Sequence, residues 1–301
     1  MSAPAETVDA PPVIDGLGHR VVDIETADAG RLRIHVAEGG TGEPLLLLHG
    51  WPQHFWCWRA VAPALAEHFH VICPDLRGFG WSDAPGRGYD PETFATDALA
   101  LLDALGIERV RLIGHDWGGF AGFLLCLRHP ERVSSFLALN APPPWARARP
   151  RSLLELRHAW YTWVNASPWL GAALARNRPE WIPWLINHWS VQPGIDRAAA
   201  AVYARRLADP ARARATTQLY RAYQRVVLDT GLRRRYDDLR LTVPTRLLLG
   251  AGDPPIPTAL ADGWERHADA DAQLEIVADC GHFTPEEHPQ LVIERALALP
   301  G

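Results

Sequence analysis

The chain has 301 residues, of which 30 are basic and 35 acidic, so its formal net charge is -5 at pH 7. All the basic residues are arginines, and a chain without lysine cannot hold a Schiff-base lysine, a phosphate-loop lysine or a Ser-x-x-Lys hydrolase site. A net negative charge disfavours a nucleic-acid partner, which needs a basic face. No run of 18 apolar residues occurs, so we expect no membrane span either.

Two local features bear on the compartment. Residues 1–15 are acidic, rich in Pro and Ala, and lack the basic and apolar regions of a signal peptide, so we predict a flexible tail over residues 1–19. The cysteines are scattered, form no C-x-x-C pair and are predicted to be free, buried thiols. They are Cys57, Cys73, Cys126 and Cys280. Free thiols indicate a reducing environment, and we predict a cytoplasmic protein.

The predicted elements begin with a hairpin, because the alternating strands 21–25 and 32–37 are joined by Asp28-Ala29-Gly30. Short, nearly continuous apolar runs follow at 45–48, 71–73, 110–113, 136–139, 245–249 and 274–277. Helical patterns lie at 56–67, 91–105, 119–129 and 289–297. Buried strands that alternate with helices predict an α/β fold with a mostly parallel sheet flanked by helices. Catalytic groups are then expected at the carboxyl ends of the strands.

The stretch from residue 142 to 236 interrupts this alternation. It has no strand pattern, only helical stretches at 153–164, 179–189, 198–207 and 211–227. We predict a helical cap at 142–236, inserted into a core domain formed by residues 20–141 and 237–301. Seven of the 13 tryptophans lie in the cap, at positions 145, 160, 163, 169, 181, 184 and 189. We expect these indoles to line an apolar pocket.

A glycine-rich turn, Gly114-His115-Asp116-Trp117-Gly118-Gly119, follows the predicted strand 110–113. It has the spacing of the G-x-S-x-G nucleophile elbow, in which glycines allow a strained strand-to-helix turn, but Asp116 stands in the serine position. Asp253 follows the strand 245–249 and His282 follows the last strand, which gives the order nucleophile, acid, histidine. The alternative acid position, after the strand 136–139, holds Asn140, which has no carboxylate.

An aspartate nucleophile restricts the reaction. A free carboxyl group has a pKa near 4, so Asp116 is expected to be ionised at pH 7 without help from a base. Its attack on an ester would give a labile anhydride, whereas attack on an sp3 carbon that bears a leaving group gives an alkyl ester. His282, oriented by Asp253, is suited to activate the water that hydrolyses this ester.

From about residue 21 to the C-terminus the sequence resembles the epoxide hydrolases of the α/β-hydrolase family. The resemblance rests on His49-Gly50-Trp51-Pro52, the loop 75–83, the elbow 114–119 and Cys280-Gly281-His282-Phe283. It implies an α/β-hydrolase fold and the opening of an epoxide to a vicinal diol. It also implies an oxyanion hole made by the backbone N–H groups of Trp51 and Trp117.

In the resembled family two cap tyrosines donate to the oxygen of the opening epoxide. Tyr161 precedes Pro168 by seven residues, which matches the first, and Tyr220 begins a Tyr-Arg pair, which matches the second. Tyr223 competes with Tyr220 for that role. The predicted substrate pocket consists of Trp51, Trp117, Trp160 and Phe283.

Dehalogenases of the same superfamily, acting on haloalkanes or haloacids, are the alternative. Haloalkane dehalogenases commonly have Asn where this chain has Trp51. Fluoroacetate dehalogenases share the start at residues 49–53, but have Arg in place of Trp117 and a halide-binding His-Trp pair in place of Tyr161-Thr162. We therefore favour a small, apolar, neutral substrate with water as the second reactant.

Two further expectations complete the sequence-based prediction. A non-catalytic ligand-binding protein of this fold is less favoured, because the nucleophile, acid and histidine are all present. We expect no cofactor and no metal, since the closest ligand pair, His68 and His70, lacks an H-E-x-x-H context. The chain is expected to be a monomer or a homodimer.

Overall fold

The structure, a computed structural model, describes residues 10–147, 160–167, 169–192, 195–231 and 233–301. Its centre is an eight-stranded sheet with the strand order β1-β2-β4-β3-β5-β6-β7-β8. The strands are β1 Gly18–Thr26, β2 Gly30–Gly39, β3 Glu43–Leu48, β4 Phe69–Pro74, β5 Val110–His115, β6 Val133–Leu139, β7 Thr245–Gly250 and β8 Ala272–Val277. β2 pairs antiparallel with β1 and β4, and the other pairs are parallel. The predicted hairpin and mostly parallel sheet are therefore confirmed.

The helices are α1 Ala62–Ala66, α2 Pro91–Leu105, α3 Trp117–Arg128, α4 Trp160–Ala166, α5 Leu170–Asn177, α6 Trp181–Trp189, α7 Arg197–Leu207, α8 Pro210–Gly231, α9 Thr284–Glu287 and α10 Pro289–Leu297. α2 has the predicted bounds for local reasons. The Asp90 side chain caps its start by accepting a hydrogen bond from the Thr93 N–H at 3.1 Å, and Gly106, at φ +68°, ends it in the left-handed region.

The central strands are apolar throughout because both of their faces are covered. All seven residues of β6 are buried. A strand between two helix layers has no polar side, so a continuous apolar run marks it better than alternation does. Because β5, β6, β7 and β8 run parallel, their carboxyl ends lie at one edge of the sheet, where the loops that follow them meet.

The residues described between β6 and β7 contain helices α4 to α8 and no strand. The predicted helix 153–164 lies partly outside the described residues, and α4 covers its end. The predicted helix 179–189 is confirmed in α6, whereas the short α5 is missed by the sequence pattern. The exact boundaries of a cap at residues 142 and 236 stay a prediction.

The structure corrects the predicted N-terminal tail. Residues 1–9 lie outside the described part of the chain, but Ile14 and Leu17 are only 2% and 7% exposed and belong to the core. A Cβ on Gly39 would lie 2.2 Å from the Gly16 carbonyl oxygen, so this segment packs directly against β2. β1 then begins at Gly18, inside the predicted tail.

Two other expectations concern the chain as a whole. All four cysteines are free and buried, as predicted. None of the helices in the described residues is long and apolar enough to cross a membrane.

Candidate active site

Asp116 stands at a strained turn between β5 and α3. Its φ is +50°, which non-glycine residues rarely adopt. The turn requires the neighbouring glycines, because the backbone approaches itself there too closely for a Cβ atom. A Cβ on Gly114 would lie 2.5 Å from the Gly118 carbonyl oxygen, and a Cβ on Gly118 would lie 2.3 Å from the Leu48 carbonyl oxygen. The predicted elbow geometry is present, and it directs one carboxylate out of the sheet edge.

Backbone N–H groups stabilise this carboxylate. The Trp51 N–H donates to Asp116 Oδ2 at 2.9 Å, and the Trp117 N–H acts with it to lower the pKa of the carboxyl group. Gly50 allows this approach, because a Cβ there would lie 2.5 Å from Oδ2. Burial raises the pKa of Asp116 to about 6, although nearby His282 and the two N–H groups oppose the rise. The carboxyl group is therefore still mostly ionised at neutral pH.

His282 faces the other oxygen of the nucleophile and is held by Asp253. His282 Nδ1 lies 2.9 Å from Asp253 Oδ2, and His282 Nε2 lies 4.0 Å from Asp116 Oδ1. Because a carboxylate only accepts hydrogen bonds, Nδ1 carries the proton and Nε2 is free to act as a base. Burial alone would lower the pKa of His282, but the carboxylates of Asp253 and Asp116 outweigh it and raise the pKa. The structure thus brings the three predicted side chains together.

Asn140 follows β6 and is part of this site. In the sequence it stands out only as a position that lacks a carboxylate. Its Nδ2 donates to Asp253 Oδ2 at 2.7 Å and to the Gly281 carbonyl oxygen at 3.0 Å. The Thr284 hydroxyl donates to its Oδ1. The Ile256 N–H donates to Asp253 Oδ1 at 2.9 Å. These donors fix the acid that orients His282, a role that sequence reasoning missed.

Two buried tyrosines and one half-buried tyrosine, all on helices inserted between β6 and β7, lie beside Asp116. Tyr161 comes from α4, and Tyr220 and Tyr223 come from one face of α8, three residues apart. The Tyr161 and Tyr220 ring centroids are 5.6 Å apart, and the Tyr223 ring lies 5.8 Å from the Trp117 ring. Burial raises the pKa of all three phenols, and the Asp116 carboxylate adds to the rise. The protonated phenol is therefore the stable form, as a hydrogen-bond donor requires.

A cavity of about 150 Å³ lies beside Asp116 and the three phenols. Its surface is mostly apolar, and Asp116 is the one charged residue among the described residues that line it. The lining consists of Pro91, Asp116, Trp117, Phe120, Pro142, Pro143, Ala146, Tyr161, Tyr220, Tyr223, Val226, Val227, Thr230, Ile256 and Leu260.

The predicted pocket residues are distributed differently. Trp117 lines the cavity. Trp51 packs behind the phenols, with its ring 5.1 Å from Tyr220, and Phe283 packs behind His282 at 5.0 Å. The prediction for Trp160 is wrong: it is 44% exposed and its ring packs against Trp181 on the outer side of the inserted helices. As the first residue of α4, Trp160 points away from the face that carries Tyr161.

The wider expectation for the cap indoles is also wrong, because none of the seven is among the residues that line the cavity. Trp163 and Trp169 are exposed, and Trp145 is buried against His267. Trp189 alone among the seven approaches the triad, with its ring 5.7 Å from His282. Proline, valine and tyrosine side chains supply the apolar wall instead.

No metal site accompanies this arrangement in the described part of the chain, where no three His, Cys, Asp or Glu side chains are grouped to hold an ion. The site instead brings together two carboxylates, an imidazole, three phenols and two backbone N–H donors. Such a set is suited to nucleophilic attack by a carboxylate, followed by base-assisted hydrolysis.

The comparisons with known proteins agree with this fold. The family profile of the alpha/beta hydrolase fold matches residues 43–289. A soluble epoxide hydrolase of Corynebacterium sp. (strain C12) is 34% identical over 278 residues, which cover 88% of this chain and 92% of the relative. A fluoroacetate dehalogenase of Burkholderia sp. is 31% identical over 219 residues, covering 70% of each chain. The solved structure of the epoxide hydrolase CorEH without ligand matches with a TM-score of 0.80 at 32% identity, over 93% of this chain and 98% of that one.

The sheet, the elbow and the profile match define a member of the α/β-hydrolase fold family. Within that family the chain belongs to the epoxide hydrolases. The predicted fold and the family resemblance are thereby confirmed. The catalytic roles of individual residues stay predictions.

Proposed function

We propose that this chain hydrolyses epoxides to vicinal diols through a covalent ester on Asp116. The observation that carries the proposal is that the two carboxylate oxygens of Asp116 have different partners. Oδ2 is held by the Trp51 N–H at 2.9 Å, while Oδ1 faces His282 Nε2. An oxygen bound to N–H donors is suited to be the carbonyl oxygen of an ester, and the other oxygen is suited to make the new bond.

In the first step Asp116 Oδ1 attacks an epoxide carbon and the C–O bond at that carbon breaks. The electron pair of this bond stays on the epoxide oxygen, which takes a proton from a phenol. Tyr161 and Tyr220 are the proposed donors, and their position on the cap side of Asp116 allows attack and protonation from opposite sides of the substrate. The raised pKa of both phenols keeps the proton available for this transfer.

In the second step water hydrolyses the ester. His282 Nε2 takes a proton from the water, whose oxygen attacks Cγ of Asp116, and Asp253 stabilises the imidazolium that forms. In this proposal the N–H groups of Trp51 and Trp117 stabilise the negative charge that develops in the intermediate, and each lowers the barrier by about 3 kcal/mol. Collapse of the intermediate breaks the bond between Cγ and Oδ1, and the departing alkoxide takes the proton from the His282 imidazolium to complete the diol. The carboxyl group of Asp116 then gives up the remaining proton of the water, which restores the phenol.

A neutral, apolar epoxide is the favoured substrate class. Apart from Asp116, the described residues that line the cavity carry no charge, so among them a carboxylate-bearing substrate such as fluoroacetate finds no guanidinium to pair with. Trp117 stands where the fluoroacetate dehalogenases have that arginine. The similarity to a fluoroacetate dehalogenase keeps dehalogenation as the second candidate, since it requires the same attack by aspartate. Action in the cytoplasm, as a monomer or homodimer, is part of the proposal.

Isotope labelling tests the covalent step. In a single turnover of styrene oxide in heavy-oxygen water, the first diol should contain unlabelled oxygen from Asp116, and the peptide that carries Asp116 should gain the label. A labelled diol together with an unlabelled Asp116 would disprove the ester mechanism. His282→Gln should form the ester but release it very slowly, so that intact mass detects the adduct, while Asp116→Asn serves as the control that forms none.

The leaving group is tested separately. The double variant Tyr161→Phe and Tyr220→Phe removes both proposed donors without changing ring packing, and it should lose epoxide opening. Full activity in this variant would refute the tyrosine assignment. Release of bromide from 1-bromobutane at a rate equal to or above epoxide turnover would favour the dehalogenase candidate.

A further inference from the structure

A third carboxylate, that of Glu287, lies beside residues 281–283, the histidine loop, and has no part in the proposed mechanism. Glu287 is the last residue of α9 and is buried. Its side chain accepts hydrogen bonds from four backbone N–H groups. Oε2 accepts from Val191 at 2.7 Å, Gln192 at 3.1 Å and Gly281 at 3.0 Å, and Oε1 accepts from Phe283 at 2.9 Å.

These donors belong to two separate segments. Gly281 and Phe283 are the residues on either side of His282, so Glu287 holds the backbone of the histidine loop at both ends. Val191 and Gln192 belong to the segment 189–192, which leaves α6 of the inserted helical region. A carboxylate is the one side-chain group in which both oxygens only accept hydrogen bonds, so it satisfies all four N–H donors at once.

A direct contact reinforces this connection. The His282 N–H donates to the Trp189 carbonyl oxygen at 2.8 Å. A Cβ on Gly281 would lie 2.2 Å from the same oxygen, so glycine is required where the two segments meet. On the other side of the segment, the Trp189 ring lies 4.4 Å from the Tyr161 ring. The backbone of His282 and the proposed proton donor are therefore attached to the same piece of chain.

We propose that Glu287 is a positioning residue that fixes His282 against the segment 189–192, and that hydrolysis of the ester depends on it while formation of the ester does not. This inference rests on the proposed function. The two steps separate because Glu287 contacts the histidine loop, whereas Asp116 is held by the N–H groups of Trp51 and Trp117, and neither of these N–H groups bonds to Glu287.

The charge of Glu287 adds a second, measurable effect. The charged and titratable groups that face His282 are Asp253 at Nδ1, Asp116 at Nε2, His115 with its ring 5.2 Å away, and Glu287. Glu287 is among the carboxylates that raise the pKa of His282. Since the base must be neutral to accept a proton, loss of this negative charge should move the acid limb of the hydrolysis rate to lower pH.

Glu287→Gln and Glu287→Asp test the proposal. In the glutamine variant one carboxylate oxygen becomes an NH2 group. This group cannot accept a hydrogen bond from the N–H donor that it faces, so part of the histidine loop is released. The aspartate variant keeps the charge and both acceptors on a shorter side chain. Asp97→Asn is the matched control, because it also removes a buried carboxylate, but one that pairs with Arg77 away from this site.

Ester formation and ester hydrolysis are measured separately, by rapid quench and intact mass, with styrene oxide as substrate. For Glu287→Gln we expect ester formation within about twofold of the unchanged protein and hydrolysis slower by about 100-fold, as a displacement of about 1 Å can cause. The acid limb of hydrolysis should move to lower pH. Glu287→Asp should restore part of the rate and the original acid limb, and Asp97→Asn should leave both steps unchanged.

Two results would overturn the proposal: unchanged hydrolysis in Glu287→Gln, or an equal fall in both steps. If Glu287→Gln does not fold, the same comparison of the two steps in Glu287→Asp decides, because a slower hydrolysis without a slower ester formation is still required. Failure of the proposed function would give a different result, because the wild-type protein would then form no adduct on Asp116 at all.

Discussion

Replacing Asp116 with asparagine should abolish epoxide opening and also stabilise the fold. Burial moves the pKa of Asp116 from 3.8 to about 6, so the folded protein binds this proton more tightly than the unfolded chain does. Each unit of pKa difference corresponds to about 1.4 kcal/mol, and the ionised carboxylate therefore costs about 3 kcal/mol of folding free energy. This cost is complete above the folded pKa and disappears below the unfolded pKa. Asparagine fits the site, because its oxygen accepts from the Trp51 N–H while its NH2 group faces His282 Nε2.

The assay is reversible denaturant unfolding of both proteins at several pH values. At pH 8 the asparagine variant should be more stable by about 3 kcal/mol, equivalent to roughly 5 to 10 °C in Tm, and the difference should shrink towards zero near pH 4. A difference that does not change with pH, or a variant that is less stable at pH 8, would refute the reasoning. The result would identify Asp116 as a residue that favours reactivity over stability.

Three other changes are expected to have distinct effects. Asn140→Ala removes a donor from the buried carboxylate of Asp253 and should cost about 1 to 3 kcal/mol in urea unfolding, with a matching fall in kcat. Tyr223→Phe should retain more epoxide turnover than Tyr220→Phe, because Tyr220 is more deeply buried and its ring lies 5.6 Å from that of Tyr161, the other proposed donor. A larger loss of diol formation in Tyr223→Phe would reverse that choice. Trp160→Ala should leave kcat/KM within about twofold, since its exposed ring does not line the cavity, and a large rise in KM would restore it to the substrate site.

The sheet and the triad could be predicted because both depend on local patterns. Continuous apolar runs mark buried strands, and the residues that follow β5, β7 and β8 are brought to one edge by the parallel arrangement alone. Asn140 also follows such a strand, but its contact with Asp253 depends on side-chain direction across the sheet edge. Nothing in the spacing of the sequence indicates that contact.

The inserted helices could be predicted as helices but not in their packing. Trp160 and Tyr161 are neighbours in the sequence and lie on different faces of α4, one exposed and one above the nucleophile. Which face of a short helix is covered depends on the tertiary contacts, and an abundance of tryptophan does not determine it. The burial of Ile14 ahead of β1 depends in the same way on contacts with β2 that are distant in the sequence.

The hydrogen bonds between the segment 189–192 and the histidine loop have a consequence for how this fold can diverge. The segment that leaves the inserted helical region is hydrogen-bonded to the loop and the carboxylate that hold His282 in place. A chimera that takes this region from a relative would have to carry Gly281 and Glu287 with it. Among relatives, substitutions in the two segments should therefore occur together, whereas the outer faces that carry Trp163 and Trp169 are free to vary independently.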